Sequence, residues 1–278
     1  MDRYFDIKNR LLDIAENDEK LCTVIVFGSH ARNYSEADEY SDIDFMIVCN
    51  NPDEWLFGSL PGELGEIKIS FVEPTFAGTL ERRILYSNSS DVDLIVLTPD
   101  QFYTGINNGT INEVMRRGYT VLYDRIGIKK IIDDNIIMNI CDSVMTKQEF
   151  INTVNDFWFH TVWSSKKLLR GELWSAIMCI DAYLKNRLLK IIEMNKSLSD
   201  KVDVWHNGRF LEKWADNNTI KALGNCFSHY EKEDMISALF NTAELFGTLA
   251  RSIAQKCSYE YPLKEEEYAL SLLKNFFA

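Results

Sequence analysis

Two aspartates separated by one residue, Asp42 and Asp44, lie at the start of the apolar run Phe45 to Cys49. If this run is a strand, residues i and i+2 point to the same face. Two carboxylates on one face of a buried strand repel each other unless a cation lies between them. Mg²⁺ prefers oxygen ligands and keeps coordination positions for phosphate oxygens. The pair therefore predicts a magnesium site for a phosphate-bearing substrate. The alternative, two surface aspartates in a solvated turn, fits a polar loop better than this apolar sequence.

A glycine and a serine, Gly28 and Ser29, end the preceding apolar run, Leu21 to Phe27. This run has the length and composition of a buried strand. We expect a tight turn at Gly28 and a helix from His30 to Ala37. Backbone N–H groups at the start of a helix are a ready binding site for phosphate.

A third carboxylate is expected from a neighbouring strand. Asp93 interrupts the apolar run Val92 to Leu97, where an unpaired carboxylate is costly. It is the best candidate for a further metal ligand or for a general base, since both roles need a carboxylate that faces the same cation. Asp91, on the same predicted face, is the rival, and a polar turn that contains both aspartates is the alternative.

Together these residues meet the main demands of nucleotidyl transfer, in which a hydroxyl attacks the α-phosphorus of a nucleoside triphosphate and expels pyrophosphate. The remaining demand is positive charge for the leaving group. Arg32, one turn into the expected helix, can supply it. Lys166 and Arg170, four residues apart on a predicted helix, are further candidates. For these two, the alternative is an exposed helix end before Gly171, where cations also favour the helix dipole.

Charge is distributed unevenly along the 278 residues. Residues 1–145 contain 25 Asp and Glu against 13 Lys and Arg, whereas the rest of the chain is neutral. A surface with this excess repels a phosphate backbone and attracts a polycation, so we expect no nucleic-acid partner. Plain solubility is the alternative explanation for the acidic excess.

The sequence contains no long apolar run and no signal-peptide pattern, so we expect a cytoplasmic protein with no membrane association. The six scattered cysteines predict core thiols.

The elements that position these residues change in character near the middle of the chain. The first half alternates short apolar runs with helical periods, including a predicted hairpin that joins 83–86 to 92–97. The second half has long helical periods, beginning with a helix from Phe150 to Leu169 that Thr146 and Glu149 cap. We therefore predict an α+β protein with a mixed β-sheet domain over 1–143 and an all-helical bundle domain over 144–278.

The Gly-Ser and Asp-x-Asp pattern between apolar strands resembles the signature of the polymerase-beta-like nucleotidyltransferases. Over nearly its full length the chain is similar to the bacterial aminoglycoside 6-adenylyltransferases, also called streptomycin adenylyltransferases. The similarity is carried by Gly28-Ser29, Asp42, Asp44, Val92-Asp93-Leu94, Pro99, Phe157-Trp158, Lys166, Arg170, Glu172, the run Arg209 to Lys213 and Tyr261-Pro262.

This resemblance implies an N-terminal nucleotidyltransferase domain, a C-terminal substrate-binding domain and transfer of AMP from ATP to the 6-hydroxyl of streptomycin with Mg²⁺. It implies that Asp42 and Asp44 hold metal, that Asp93 completes the set and acts as base, and that Ser29 and Lys166 contact the triphosphate. The chain differs from the family pattern at His30 and at Ile177-Met178-Cys179. These differences concern the acceptor rather than the transfer chemistry.

Other functions stay open at this stage. The same chemistry on another small molecule or on a protein hydroxyl is the second hypothesis. A nucleotide-binding protein without turnover is the third, although a binder has no need of three clustered acids. The choice of nucleoside triphosphate and the oligomeric state are also open.

Overall fold

The computed structural model describes residues 3–32, 37–75, 77–139, 144–200, 202–204 and 207–278. The chain divides into two compact units, Met1–Ile140 and Cys141–Ala278. Our predicted boundary, between residues 143 and 144, adjoins the segment 140–143, which lies outside the described residues. Across the described ranges, no helix has both the length and the apolar character to cross a membrane.

The first unit is a six-stranded mixed sheet flanked by helices, as the sequence predicts. Its elements are α1 (Phe5–Asn17), β1 (Leu21–Phe27), β2 (Ile43–Cys49), α2 (Pro52–Leu56), β3 (Ile67–Pro74), β4 (Leu80–Tyr86), β5 (Asp91–Leu97), α3 (Pro99–Asn107), α4 (Thr110–Met115), β6 (Tyr119–Asp124) and α5 (Ile128–Asn135). The strand order is β3-β4-β5-β2-β1-β6. Strands β2 and β5 are parallel and every other neighbouring pair is antiparallel.

The central strands are buried on both faces, which explains their nearly continuous apolar sequence. One face packs against α1, including Leu11. The other packs against residues of α3 and α5, such as Phe102 and Ile132. Asp44 and Asp93 lie in two of these strands, β2 and β5, so their carboxylates are held on a rigid scaffold.

The predicted hairpin is confirmed, because β4 and β5 are antiparallel neighbours joined by residues 87–90. The region after Ser29 differs from prediction. Residues Gly28–Ala31 form a single 3₁₀ turn, and Arg32 is already extended, with φ −87° and ψ 132°. The rest of the helix expected from His30 to Ala37 falls largely on residues 33–36, which lie outside the described residues.

The second unit is helical throughout its regular structure. Its elements are α6 (Lys147–Leu169), α7 (Leu173–Ile177), α8 (Leu184–Ser197), α9 (Leu211–Trp214), α10 (Asn217–Leu223), α11 (Lys232–Cys257) and α12 (Leu263–Phe277). The predicted capping box is present, because the Thr146 and Glu149 side chains each accept a backbone N–H at the start of α6. The rings of Phe157 and Phe246 stack in the core that α6 and α11 share.

One π-helical turn, Met178–Tyr183, joins α7 to α8. The buried Lys185 side chain donates to the Ile180 carbonyl oxygen at 3.0 Å and to Thr242 Oγ1 at 2.8 Å. A wider turn of this kind leaves carbonyl groups free to accept such bonds.

Among the described cysteines, Cys22, Cys49, Cys179 and Cys226 are buried free thiols, as predicted.

Candidate functional site

Three carboxylates converge on one face of the sheet. Asp44 on β2 and Asp93 on β5 are register partners, and Asp42 precedes Asp44 by two residues, so all three point to the same side. One oxygen from each carboxylate lies within 4.8 Å of the other two. The sequence predicted this convergence, and the structure brings the three residues together. Asp91, the rival of Asp93, is exposed and lies outside this group.

The carboxylate cluster carries more negative charge than its surroundings neutralise. Burial, the charge of Asp42 and the charge of Asp93 raise the pKa of Asp44 to about 8. Burial also raises the pKa of Asp93 to about 6, against the opposing charge of Arg83. Carboxylates whose pKa values are raised by burial and by one another are stabilised when a cation takes the place of the protons. The donor set therefore fits a hard divalent cation such as Mg²⁺.

Gly28 allows the backbone after β1 to approach Asp44 closely. Phe27, the last residue of β1, is the register partner of Asp44. Gly28 has a positive φ of +69°, and a Cβ at this position would lie 2.0 Å from Asp44 Oδ2. Any larger residue would displace the carboxylate, so the glycine is required by both its conformation and its contact.

Ser29 places a hydroxyl beside this turn. The residue is 3% exposed, and its Oγ has no hydrogen-bond partner within the part of the chain that the structure describes. An unpaired buried hydroxyl costs free energy, so such a group often marks the place of a missing partner. Its position next to Gly28 suits a donor to a phosphate oxygen.

Arg32 lies near the carboxylates, although not within a helix as the sequence predicted. Its charge lowers the pKa of Asp44 against the larger effect of burial. It follows the 3₁₀ turn directly, so it is close to the carboxylates by chain connection rather than by helical periodicity.

Lys166 and Arg170 belong to the second unit. Lys166 is exposed on α6 and lines a cavity of about 390 Å³ between α6 and α12, together with Trp158, Trp163 and Tyr268. Arg170 caps the C-terminal end of α6, and its Nε lies 2.7 Å from Glu172 Oε1. The ion pair with Glu172 is typical of an exposed helix end. Arg170 therefore fits the alternative of an exposed helix end better than Lys166 does.

Arg83 is a further residue beside the carboxylates, and no pattern in the sequence pointed to it. This side chain on β4 is the register partner of Asp93, and its Nε lies 3.6 Å from Asp93 Oδ2. Its guanidinium also contacts Glu73 at 2.7 Å and Glu81 at 3.1 Å. The predicted hairpin contained Arg83, but only the register between β4 and β5 brings it opposite Asp93.

Comparison with known proteins agrees with the resemblance in the motifs. The family model described as streptomycin adenylyltransferase matches residues 1–276. The aminoglycoside 6-adenylyltransferase of Bacillus subtilis (strain 168) is 23% identical over 269 residues, which cover 92% of this chain and 91% of the relative. A crystal structure of an aminoglycoside 6-adenyltransferase from Bacillus subtilis gives a TM-score of 0.48 at 18% identity, with 98% of this chain and 97% of that chain covered. A nucleotidyltransferase-like protein from Exiguobacterium sibiricum 255-15 gives a TM-score of 0.38 at 10% identity, with 90% and 78% covered.

Proposed function

Because this chain belongs to the streptomycin adenylyltransferase family, we propose that it transfers AMP from ATP to the 6-hydroxyl of the aminoglycoside streptomycin. The observation that carries the proposal is the cluster of Asp42, Asp44 and Asp93 beside the Gly28-Ser29 turn. Three acids held at this spacing serve phosphoryl chemistry, and a protein that only binds nucleotide does not need them.

Asp42, Asp44 and Asp93 are the residues that would hold Mg²⁺. When bound there, the metal neutralises charge on the triphosphate and makes the α-phosphorus more susceptible to attack. The raised pKa of Asp44, caused by burial and by the neighbouring carboxylates, supports this assignment because a cation can take the place of the proton.

Asp93 acts as the general base in this proposal. The acceptor hydroxyl gives its proton to the Asp93 carboxylate while its oxygen forms a bond to the α-phosphorus. The bond from that phosphorus to the bridging oxygen breaks, and pyrophosphate leaves with the electron pair. In the metal-free protein, burial raises the pKa of Asp93 to about 6, so the carboxylate is ionised at neutral pH and can accept a proton.

Hydrogen-bond donors and cations of the chain bind the triphosphate. Ser29 Oγ donates to a phosphate oxygen and thereby gains the partner that it lacks among the described residues. Arg32, Lys166 and Arg170 supply positive charge to the leaving pyrophosphate. In this assignment, residues 1–143 form the catalytic domain, and 144–278 form the substrate-binding domain because they supply Lys166 and Arg170 to the triphosphate of ATP.

The charge of the first unit supports a cationic acceptor. The excess of acidic residues among 1–145 favours encounter with a molecule such as streptomycin, which carries guanidinium groups. The relative from Bacillus subtilis named above is an aminoglycoside 6-adenylyltransferase, which supports the same position of attack.

The test is incubation of the protein with ATP, Mg²⁺ and a panel of aminoglycosides that includes streptomycin. We expect pyrophosphate release with streptomycin, a product heavier by one AMP group, and an NMR spectrum that places the phosphate on the 6-hydroxyl. Transfer to a different aminoglycoside would correct the acceptor. Silence across the whole panel would overturn the proposed function.

A further inference from the structure

One row of side chains crosses four strands and ends at the candidate site. Phe71 on β3 is the register partner of Arg83 on β4, Arg83 is the partner of Asp93 on β5, and Asp93 is the partner of Asp44 on β2. Paired residues point to the same face of a sheet. Since neighbouring strands are about 4.8 Å apart, Phe71 lies about 10 Å from Asp93 along this row.

This face of β3 and β4 is open to solvent. Phe71 is 52% exposed and Ile69, two residues earlier on the same face, is 60% exposed. The opposite face is covered, because Arg82 donates to the carbonyl oxygens of Trp55 and Gly58 near α2. The open face therefore presents large apolar side chains on the same side of the sheet as the catalytic carboxylates. Other parts of the sheet are covered by helices.

Acidic side chains border the apolar residues. Glu73 and Glu81 are register partners on β3 and β4, and both contact the Arg83 guanidinium. Asp93 is the third acid near this guanidinium, so three carboxylates share one positive charge at this place. Asp93 and its register partner Asp44 continue this row of carboxylates toward Asp42. The surplus of negative charge is thus continuous from Glu73 to the carboxylate cluster.

We propose that Phe71, Glu73 and Glu81, together called the acceptor face, bind the cationic ring of the aminoglycoside and present its hydroxyl to Asp93. This inference rests on the proposed function and assigns the acceptor to a specific surface. The apolar side of the ring stacks on Phe71, and its guanidinium or ammonium groups pair with Glu73 and Glu81.

Arg83 shows that the surface accommodates a guanidinium group. Its own guanidinium already contacts both glutamates. One positive charge does not balance two carboxylates, so a second cation can bind there. Carboxylates favour planar guanidinium groups because two parallel hydrogen bonds form. A neutral sugar or an anionic acceptor lacks this complementarity, and polymeric anions are repelled.

The experiment compares steady-state kinetics of the full-length protein with Glu81→Gln, Glu73→Gln and Phe71→Ala. We expect each glutamine variant to raise the KM for streptomycin about tenfold or more, as loss of one ionic hydrogen bond predicts. The alanine variant is expected to raise it about threefold to tenfold, through lost contact with the ring. The KM for ATP should stay within about twofold in all three, because the nucleotide is bound elsewhere.

Two control variants match these changes away from the acceptor face. Glu66→Gln removes an exposed carboxylate that pairs with Lys68 just before β3. Phe57→Ala removes a phenylalanine that is 63% exposed and adjoins Gly58, on the covered side of the sheet. Both should leave the KM for streptomycin unchanged. Calorimetry of streptomycin binding without ATP gives a second readout that does not depend on turnover.

The outcomes separate this inference from the proposed function. If the wild type adenylylates streptomycin and the three variants keep its KM and its calorimetric Kd, the acceptor lies elsewhere and the inference is overturned. If the wild type transfers AMP to no aminoglycoside, both the proposed function and the assignment of the acceptor to this surface are overturned. Circular dichroism at 25 °C checks that each variant is folded.

Discussion

Asp44 and Asp93 are direct register partners on the parallel strands β2 and β5, which places two carboxylates side by side on one buried face. Their pairing is direct, so two groups of the same charge type are neighbours in the sheet. Protons reduce their repulsion in the metal-free protein, and the proposed metal would take the place of these protons.

Asp93→Asn should abolish AMP transfer and leave ATP binding largely intact. The amide keeps the shape of the side chain but cannot take the proton of the acceptor hydroxyl, so we expect kcat to fall by about 10²- to 10⁴-fold. Rapid-quench turnover and calorimetry with a non-hydrolysable ATP analogue measure the two effects. Asp91→Asn is the matched control, since it removes an exposed carboxylate from the same strand. Normal turnover by Asp93→Asn would assign the base to another group.

Metal-free protein should lose stability as the pH rises. Asp44 has a pKa of about 8 and Asp93 a pKa of about 6 in the folded state, against an ordinary value near 4 in the unfolded chain. The folded state thus binds more protons than the unfolded state between about pH 4 and pH 8, so the free energy of unfolding falls across this window. Thermal unfolding in EDTA should give a lower Tm at pH 8 than at pH 5.

Mg²⁺ at pH 8 should reverse this loss, because the cation replaces the protons. Asp44→Asn should be more stable than the wild type in EDTA at pH 8, since it removes the buried charge, and it should gain little from Mg²⁺. If the Tm of the wild type changes with neither pH nor Mg²⁺, the cluster does not have the raised pKa values that we assign to it.

Gly28→Ala should inactivate the protein by moving Asp44. The positive φ of +69° imposes a cost of about 1–2 kcal/mol on any L-residue, and the new Cβ would meet Asp44 Oδ2 at 2.0 Å. Gly127→Ala separates these two effects, because Gly127 has φ +79° with no atom near its ideal Cβ. We expect similar losses of unfolding free energy from backbone strain in both variants, and loss of turnover only in Gly28→Ala. Equal activity in the two would remove the close approach of Gly28 from the mechanism.

Ser29→Ala should weaken ATP binding without destabilising the nucleotide-free protein. The Ser29 hydroxyl is buried and has no partner in the described part of the chain, so its removal costs no hydrogen bond there. We expect the KM for ATP to rise about tenfold, through loss of a bond to phosphate. Ser90→Ala is the control, because Ser90 Oγ is likewise buried without a described partner but precedes β5. If chemical denaturation shows a large loss of stability in Ser29→Ala, the hydroxyl has a structural role instead.

The local pattern of the sequence was sufficient for the three carboxylates. Two-residue spacing gave Asp42 and Asp44 a common face, and the cost of a lone acid in an apolar strand singled out Asp93 rather than Asp91. The parallel pairing of β2 with β5 could not be predicted from the sequence, because α2, β3 and β4 lie between these strands in the chain.

The positions of Arg83 and Arg32 could not be predicted from the sequence. The contact of Arg83 with Asp93 depends on the register between β4 and β5, and a shift of one residue would send its side chain to the other face. Arg32 was predicted to lie one turn into a helix, but Gly28–Ala31 form a 3₁₀ turn and Arg32 itself is extended. Short turns of this kind are set by their contacts, here the approach of Gly28 to Asp44, more than by residue preference.

Lys166→Ala should lower kcat/KM for ATP and leave the free energy of unfolding unchanged. Lys166 is exposed on α6, and the proposal assigns its charge to the triphosphate, so its removal should cost about tenfold or more in kcat/KM. The adjacent Lys167 provides a matched comparison, because its Nζ lies 2.5 Å from Glu172 Oε2 and over the Trp163 ring. Lys167→Ala should therefore destabilise the second unit slightly while keeping kcat/KM, as loss of a partly exposed ion pair predicts. Urea denaturation and steady-state kinetics on both variants decide the question. If the two lysines behave alike in kinetics, Lys166 belongs to the exposed helix end, and the triphosphate is neutralised by other cations.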